Sequence, residues 1–339
     1  MHWSFKYDRI VAMRTADGIF VALQVGNQSS VNASDFQKVR EITGPHYTDC
    51  GMPQSNSATF VSGDYWLVES DGMPAHNMMV GIKSWQQQVP LPQPYTGSNA
   101  YAIPLVARLA SQPVSAKTAL FNGAIAVAVN GVPIFNALNN RGDDAYLFGE
   151  LDDFGGHSGR ADDYHYHTAP LFLSSTVGAT RPIGVGLDGF ILYGSVEPDG
   201  SAMRPLDDYN GHADPAEIYH YHGTRTYPYI NGGMKGVVTV SDQVEPQPSL
   251  QPVRPAGTPL AGAVITKHQA TGPSAWTLEY RLNNGTYRVD YRVEGARTTL
   301  PPKAWPMDWS PRQTPKTGMG AEAVSSSSRQ RPASLGGAG

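Results

Sequence analysis

Residues 151–167 read LDDFGGHSGRADDYHYH, and residues 206–222 read LDDYNGHADPAEIYHYH. Ten of the seventeen aligned positions are identical, with no gap. Each copy carries three histidines at one spacing: His157, His165 and His167, then His212, His220 and His222. Upstream, IAVAVNGVPIFNA at 125–137 parallels IGVGLDGFILYGS at 183–195. Asn130-Gly131 and Asp188-Gly189 are tight-turn signals between apolar, β-type runs. Each unit therefore reads as strand, turn, strand, variable loop and His-bearing segment. Two copies offset by 55 to 58 residues are too few and too long for a short solenoid repeat. They predict duplicated β-rich half-domains, 122–167 and 180–222, related by a pseudo-twofold axis. One shared site, or two neighbouring ones, would lie between them.

The rest of the chain also reads as mainly β. Long 3.6-period stretches are absent, and short alternating or apolar runs are bounded by Gly, Pro, Asn and Asp. Residues 65–69, 101–106 and 237–240 are examples. A β-rich domain is expected over 1–243, followed by a Pro-rich linker at 244–260. In the extension at 261–304, Trp276, Leu278, Tyr280 and Leu282 alternate with polar residues. So do Tyr287, Val289, Tyr291 and Val293, and Asn284-Gly285 supplies a turn. This predicts a half-buried β-hairpin, too small to stand alone and so packed on the main domain. The Ser-, Gly- and Pro-rich tail at 305–339 is expected to be disordered.

Composition excludes several function classes. The chain has 339 residues and a net charge of −4, and its 25 Lys and Arg form no basic stripe, which argues against nucleic acid. No run approaches the roughly 18 apolar residues of a membrane helix. The opening MHWSFKYDRI lacks the apolar stretch of a signal peptide. The one cysteine, Cys50, cannot make an intramolecular disulfide. P-loop, GxSxG and HExxH patterns are all missing.

The histidines carry the chemistry. On a strand, residues i and i+2 share a face, so His165 and His167 project together, as do His220 and His222. Tyr164, Tyr166, Tyr219 and Tyr221 then lie behind them, as packing or possible additional site residues. The Gly-His eight residues earlier, His157 or His212, is expected to add a third ligand from a loop. Three imidazoles with an open fourth position suit a catalytic ion. Zn or Cu fits His-only ligation, with Fe also allowed and thiolate sites excluded, for one or two ions. Asp153 and Asp208, from the recurring Asp pairs 152–153 and 207–208, are candidate general bases, and Asp188 is a third. Asp residues in such pairs can equally cap turns. His76 is a further candidate, while His2, His46 and His268 are expected at the surface.

The phrases Tyr164-His165-Tyr166-His167 and Tyr219-His220-Tyr221-His222 resemble the signature of the YHYH-domain family. DGMPAH at 71–76, NGVPIF at 130–135, LDGF at 187–190, Gly156-His157, Asn210-Gly211-His212 and Tyr227-Pro228-Tyr229 are similar to its pattern, over roughly residues 70 to 240. The resemblance implies an exported bacterial protein, secreted or periplasmic, and supplies no activity. Many family members carry Cys near the Gly-His segments, where this chain has Gly155 and Asn210. The expectation is a metal-dependent enzyme acting on a small-molecule or polymer substrate. Hydrolysis by metal-activated water comes first, because the Asp pairs offer bases, and copper-type oxidation second. The other reading is a non-catalytic metal-, carbohydrate- or cell-surface-binding module.

Overall fold

A computed structural model describes residues 10–14, 20–24, 58–62, 65–244 and 259–293. The expected tail lies outside these residues, as do His2, His46, Cys50 and most of the Pro-rich linker. The fold is mainly β. Strands β1 (Ile10–Arg14) and β2 (Phe20–Gln24) form an antiparallel ribbon. Strands β3 (Ala58–Ser62), β4 (Tyr65–Glu69) and β5 (Tyr101–Pro104) form a three-stranded sheet. Strand β6 (Leu109–Ser115) pairs elsewhere, with a strand late in the domain.

The centre of the molecule is an eight-stranded sheet. Its first half is β7 (Ala124–Ala128), β8 (Pro133–Phe135), β9 (Gly156–Ser158) and β10 (Tyr164–Tyr166). A short helix, α1 (Leu173–Val177), follows and packs on the next strand. The second half is β11 (Pro182–Gly186), β12 (Ile191–Tyr193), β13 (Gly211–Ala213) and β14 (Tyr219–His222). The spatial order is β13-β14-β12-β11-β7-β8-β10-β9. Outward from the middle, each half thus runs hairpin, parallel partner, antiparallel edge. In the central pair Val127 faces Val185, its counterpart in the aligned sequence, and Ala126 and Ala128 face Gly186 and Gly184. A twofold axis through the Val127–Val185 pair requires this register.

The hairpin turns follow from their sequences. Gly131 donates its N–H to the Ala128 carbonyl, and Gly189 donates to Gly186. Both glycines have positive φ, at 80° and 88°. A turn closed by a left-handed glycine fits a tight β-hairpin. Strands β7 and β11 are buried along their whole length, which explains why they read as continuous apolar runs rather than alternating ones.

Strand β15 (Gly233–Gly236) pairs with β6 and ends where 237–240 was expected to be extended. Val240–Val244 instead forms one wide helical turn, fixed by the Gln243 side chain donating to the Leu187 and Ala102 carbonyls. The extension has one more strand than its hairpin. β16 (Val264–Gly272) joins β17 (Ala275–Leu282) and β18 (Gly285–Arg292). Register shifts near Ile265 and Ala270 break the alternation of β16 and hide it from a pattern reading. The hairpin loop sits one residue earlier than expected, at Asn283-Asn284, with Asn283 at φ 55° and Gly285 already paired to Leu282. The sheet packs on the main domain. Ile265 exchanges backbone hydrogen bonds with Gly81 and Ile82, Trp85 meets Tyr280 at 5.0 Å, and the Tyr291 hydroxyl donates to the Pro90 carbonyl.

The glycine before each repeat histidine is sterically obligatory. A methyl at Gly156 would sit 2.5 Å from the Tyr164 hydroxyl and 2.8 Å from the His165 carbonyl oxygen. Gly156→Ala is therefore expected to lower stability by about 1–3 kcal/mol, as overpacked cores do. Urea unfolding checks this; an unchanged midpoint would mean that Tyr164 has room to move.

Candidate metal centres

Register builds each triplet. In the β9–β10 pair His157 stands directly opposite His165, and in the β13–β14 pair His212 stands opposite His220. Opposite side chains of antiparallel strands are close neighbours on one face. His167 and His222 lie two residues along, on that same face. His157 and His212, expected to come from loops, are thus strand residues.

In the first group the His157 and His165 Nε2 atoms each lie 3.0 Å from His167 Nε2. The outward Nδ1 atoms are committed elsewhere. His167 Nδ1 donates to the Asn136 carbonyl, and His165 Nδ1 donates to Asp163, 3.0 Å from Oδ2. A carbonyl oxygen only accepts, so His167 holds its proton at Nδ1 and turns the Nε2 lone pair inward. Burial and the neighbouring imidazoles push His157 well down, and they hold His167 at about 3. The Nε2 lone pairs of His165 and His167 therefore face each other at 3.0 Å and repel unless a cation or proton lies between them. For metal–nitrogen distances of about 2.0–2.1 Å, ligand atoms of a tetrahedron stand about 3.3 Å apart.

The second group repeats this and adds a carboxylate. His220 Nε2 lies 3.0 Å from His212 Nε2 and 3.1 Å from His222 Nε2. His222 Nδ1 donates to the Gly194 carbonyl at 2.7 Å. Glu197 Oε2 lies 3.3 Å from both His212 and His220 Nε2 and 3.6 Å from His222 Nε2. Burial raises the Glu197 pKa, but the Arg204 N–H and guanidinium, then His212 and His222, bring it down to about 2. Two groups of side chains could thus hold a metal ion: His157, His165 and His167; and Glu197, His212, His220 and His222.

They do not form a shared site. β10 and β14 are separated by β8, β7, β11 and β12, five interstrand steps. At about 4.8 Å per step that is roughly 24 Å. The expectation of a single or adjoining site between the halves fails because the repeat places its histidines on the outer strands.

The two groups differ in their surroundings. A cavity of about 240 Å³ lies against the first, lined by all three histidines and by Gln88, Asn139, Arg141, Glu150 and Arg160, among others. Asn139 donates to Glu150, which also pairs with Arg141. Phe135 stacks on His165 at 4.0 Å. By the hairpin offset of 58 residues Asn139 is the counterpart of Glu197, and by the offset of 55 in the His-bearing segments Asp163 is the counterpart of Ile218. Among the described residues His220 Nδ1 accordingly has only the Ile218 carbonyl, at 3.4 Å.

The other expected site residues lie elsewhere. Asp153 and Asp208 are exposed and belong to neither group. Their neighbours Asp152 and Asp207 are structural acceptors. Asp152 accepts from the Tyr164 hydroxyl and the Met79, Phe154 and Gly156 N–H groups, and Asp207 accepts from Tyr219, Tyr209, Gly211 and Lys235. Asp188 is buried and accepts from the Tyr221 hydroxyl and the Gly236 N–H. The four tyrosines occupy the face of β10 and β14 away from the imidazoles, and all are buried. His76 joins neither group. Its Nε2 accepts from the Tyr166 hydroxyl at 2.6 Å, and its ring stacks on Phe154. His268, expected at the surface, is buried against the Tyr291 hydroxyl at 2.7 Å.

Glu197, Asp163 and Glu150 were missed from sequence because identity between the copies was the signal followed, and these positions differ. Alignment of the variable loops, which sets Glu197 on Asn139, would have found the first.

Residues 100–204 match the family described as YHYH protein. The matched span is narrower than 70 to 240. It contains the first triplet and Glu197 and ends before the second. No curated protein and no solved structure matches the chain. Gly155, at φ 81°, and Asn210, at φ 60°, hold left-handed backbone positions where Gly and Asn are the tolerated types. No helix among the described residues is long and apolar enough to cross a membrane.

Burial holds both His76 and His268 down at about 4. The unfolded chain, with values near 6.5, binds more protons between these limits. Stability is therefore expected to fall as pH drops from 6.5 toward 4. His268→Gln, which keeps a donor for the Tyr291 hydroxyl, flattens that slope; urea midpoints across the range measure it, and an unchanged slope would sink the assignment.

Proposed function

We propose that the chain is a metal-dependent enzyme whose reaction centre is the His157–His165–His167 group. One observation carries this reading: three imidazole nitrogens converge beside a cavity and leave a face without a protein ligand among the described residues. Three protein ligands with a free position is the pattern of catalytic rather than structural sites. A bound divalent ion supplies Lewis acidity there and lowers the pKa of water toward 7. The chain's residues do the rest. Asp163 orients His165 through Nδ1, as carboxylates behind ligating histidines do. Asn136 fixes the His167 tautomer, and Phe135 holds the His165 ring in plane. Arg160, exposed at the cavity, pairs with no carboxylate among the described residues and favours an anionic substrate.

Hydrolysis is favoured over copper oxidation. The tyrosines that would serve redox work are buried on the other face of the strand, bonded to Asp152 and His76. Export rests on the family likeness.

Elemental mass spectrometry of protein purified without a metal-affinity column tests the site. Zn, Cu or Fe is expected, and His165→Ala removes about one equivalent. Asp163→Ala weakens that equivalent by roughly 10–100-fold in chelator competition. The zinc-loaded protein is expected to hydrolyse an anionic ester or phosphoester from a chromogenic panel, and His165→Ala abolishes turnover. A wild-type protein that carries none of these metals and binds none at micromolar concentration ends this reading.

A further inference from the structure

We infer that Glu197, His212, His220 and His222 form a second metal site of a different kind, closed and structural, which holds a zinc-class divalent ion. This does not depend on the first group being catalytic. The geometry points to closure. Glu197 Oε2 stands within 3.3–3.6 Å of all three Nε2 atoms, and His220 Nε2 stands 3.0 and 3.1 Å from the other two. Five of the six edges of a four-vertex figure thus lie near the roughly 3.3 Å that a tetrahedral zinc site requires. Where the first group leaves a face to a cavity, the second places a carboxylate. Its anionic charge also offsets one charge of a divalent ion, which three neutral imidazoles cannot do.

Glu197 is built into place. Its side chain is almost fully buried, and its Oε1 accepts from the Arg204 N–H at 2.9 Å and from the Arg204 guanidinium. His222 is fully buried and pinned through Nδ1 by Gly194. The ligands come from three segments: the loop after β12, β13 and β14. An ion among them ties the outermost strands of this half to the sheet. The exchange of Asn139 for Glu197 converts one scaffold from an open centre into a staple.

The test uses the full chain loaded with Zn²⁺ and a chromophoric chelator that reports release with time. Two equivalents are expected, one leaving at least ~10-fold more slowly than the other, since a fully protein-ligated ion has no open position for the chelator. Glu197→Ala and the shape-conserving Glu197→Gln remove or accelerate only the slow equivalent, and Zn²⁺ raises the Tm of these variants less than that of wild type. His165→Ala removes only the fast equivalent. If both Glu197 variants fail to fold, wild type decides: stripping the slow equivalent lowers its Tm, and an unchanged Tm overturns the proposal. A single equivalent that His165→Ala abolishes and Glu197→Gln spares overturns the staple and leaves the open centre standing. A slow equivalent lost in Glu197→Gln, in a protein where His165→Ala changes nothing, does the reverse.

Discussion

The antiparallel register of β9 on β10, and of β13 on β14, is the constraint from which both centres follow. It sets a histidine across from a histidine, and the two-residue period of the strand adds a third on the same face. A slip by one residue would send the imidazoles to the tyrosine side and the tyrosines to the imidazole side. The tyrosines guard against that slip. Tyr164 and Tyr219 reach Asp152 and Asp207, whose other bonds hold the turn that leads into Gly156 and Gly211. The alternating YHYH is therefore one device with two faces: hydroxyls that lock the strand, and imidazoles that the locked strand aims.

Main-chain carbonyls complete the aim. Asn136 and Gly194 hold equivalent positions just after β8 and β12, and each takes the Nδ1 proton of the last histidine in its copy. Every residue type carries a carbonyl, so Asn136 and Gly194 serve the same role with different side chains. The two copies diverge where side chains act: Asn139 against Glu197, and Asp163 against Ile218. The two histidine triplets share a strand geometry, and two loop positions distinguish their surroundings.

Legibility followed periodicity. The histidine triplets, the Asn-Gly and Asp-Gly turns and the alternating strands of the hairpin are local patterns, and the fold uses them nearly where they stand. What stayed hidden is non-local or irregular. β16 is interrupted by two register shifts, and His268 on it is buried by Tyr291, from a strand not adjacent to it in the sheet. The separation of the groups depends on strand order, which no spacing in the repeat encodes. Asp153 and Asp208 drew notice because they recur, yet recurrence equally marks a turn that both halves need, and it is Asp152 and Asp207 that make it.

The sheet order has one more consequence. β9 and β13 are its two ends, and a sheet's end is ordinarily a template on which another chain can add a strand. Here each end is three residues long and centred on a histidine that is turned inward to its triplet. An approaching strand finds too few free amides in line to gain a foothold. Their brevity thus shields these two ends of the sheet from edge-to-edge pairing.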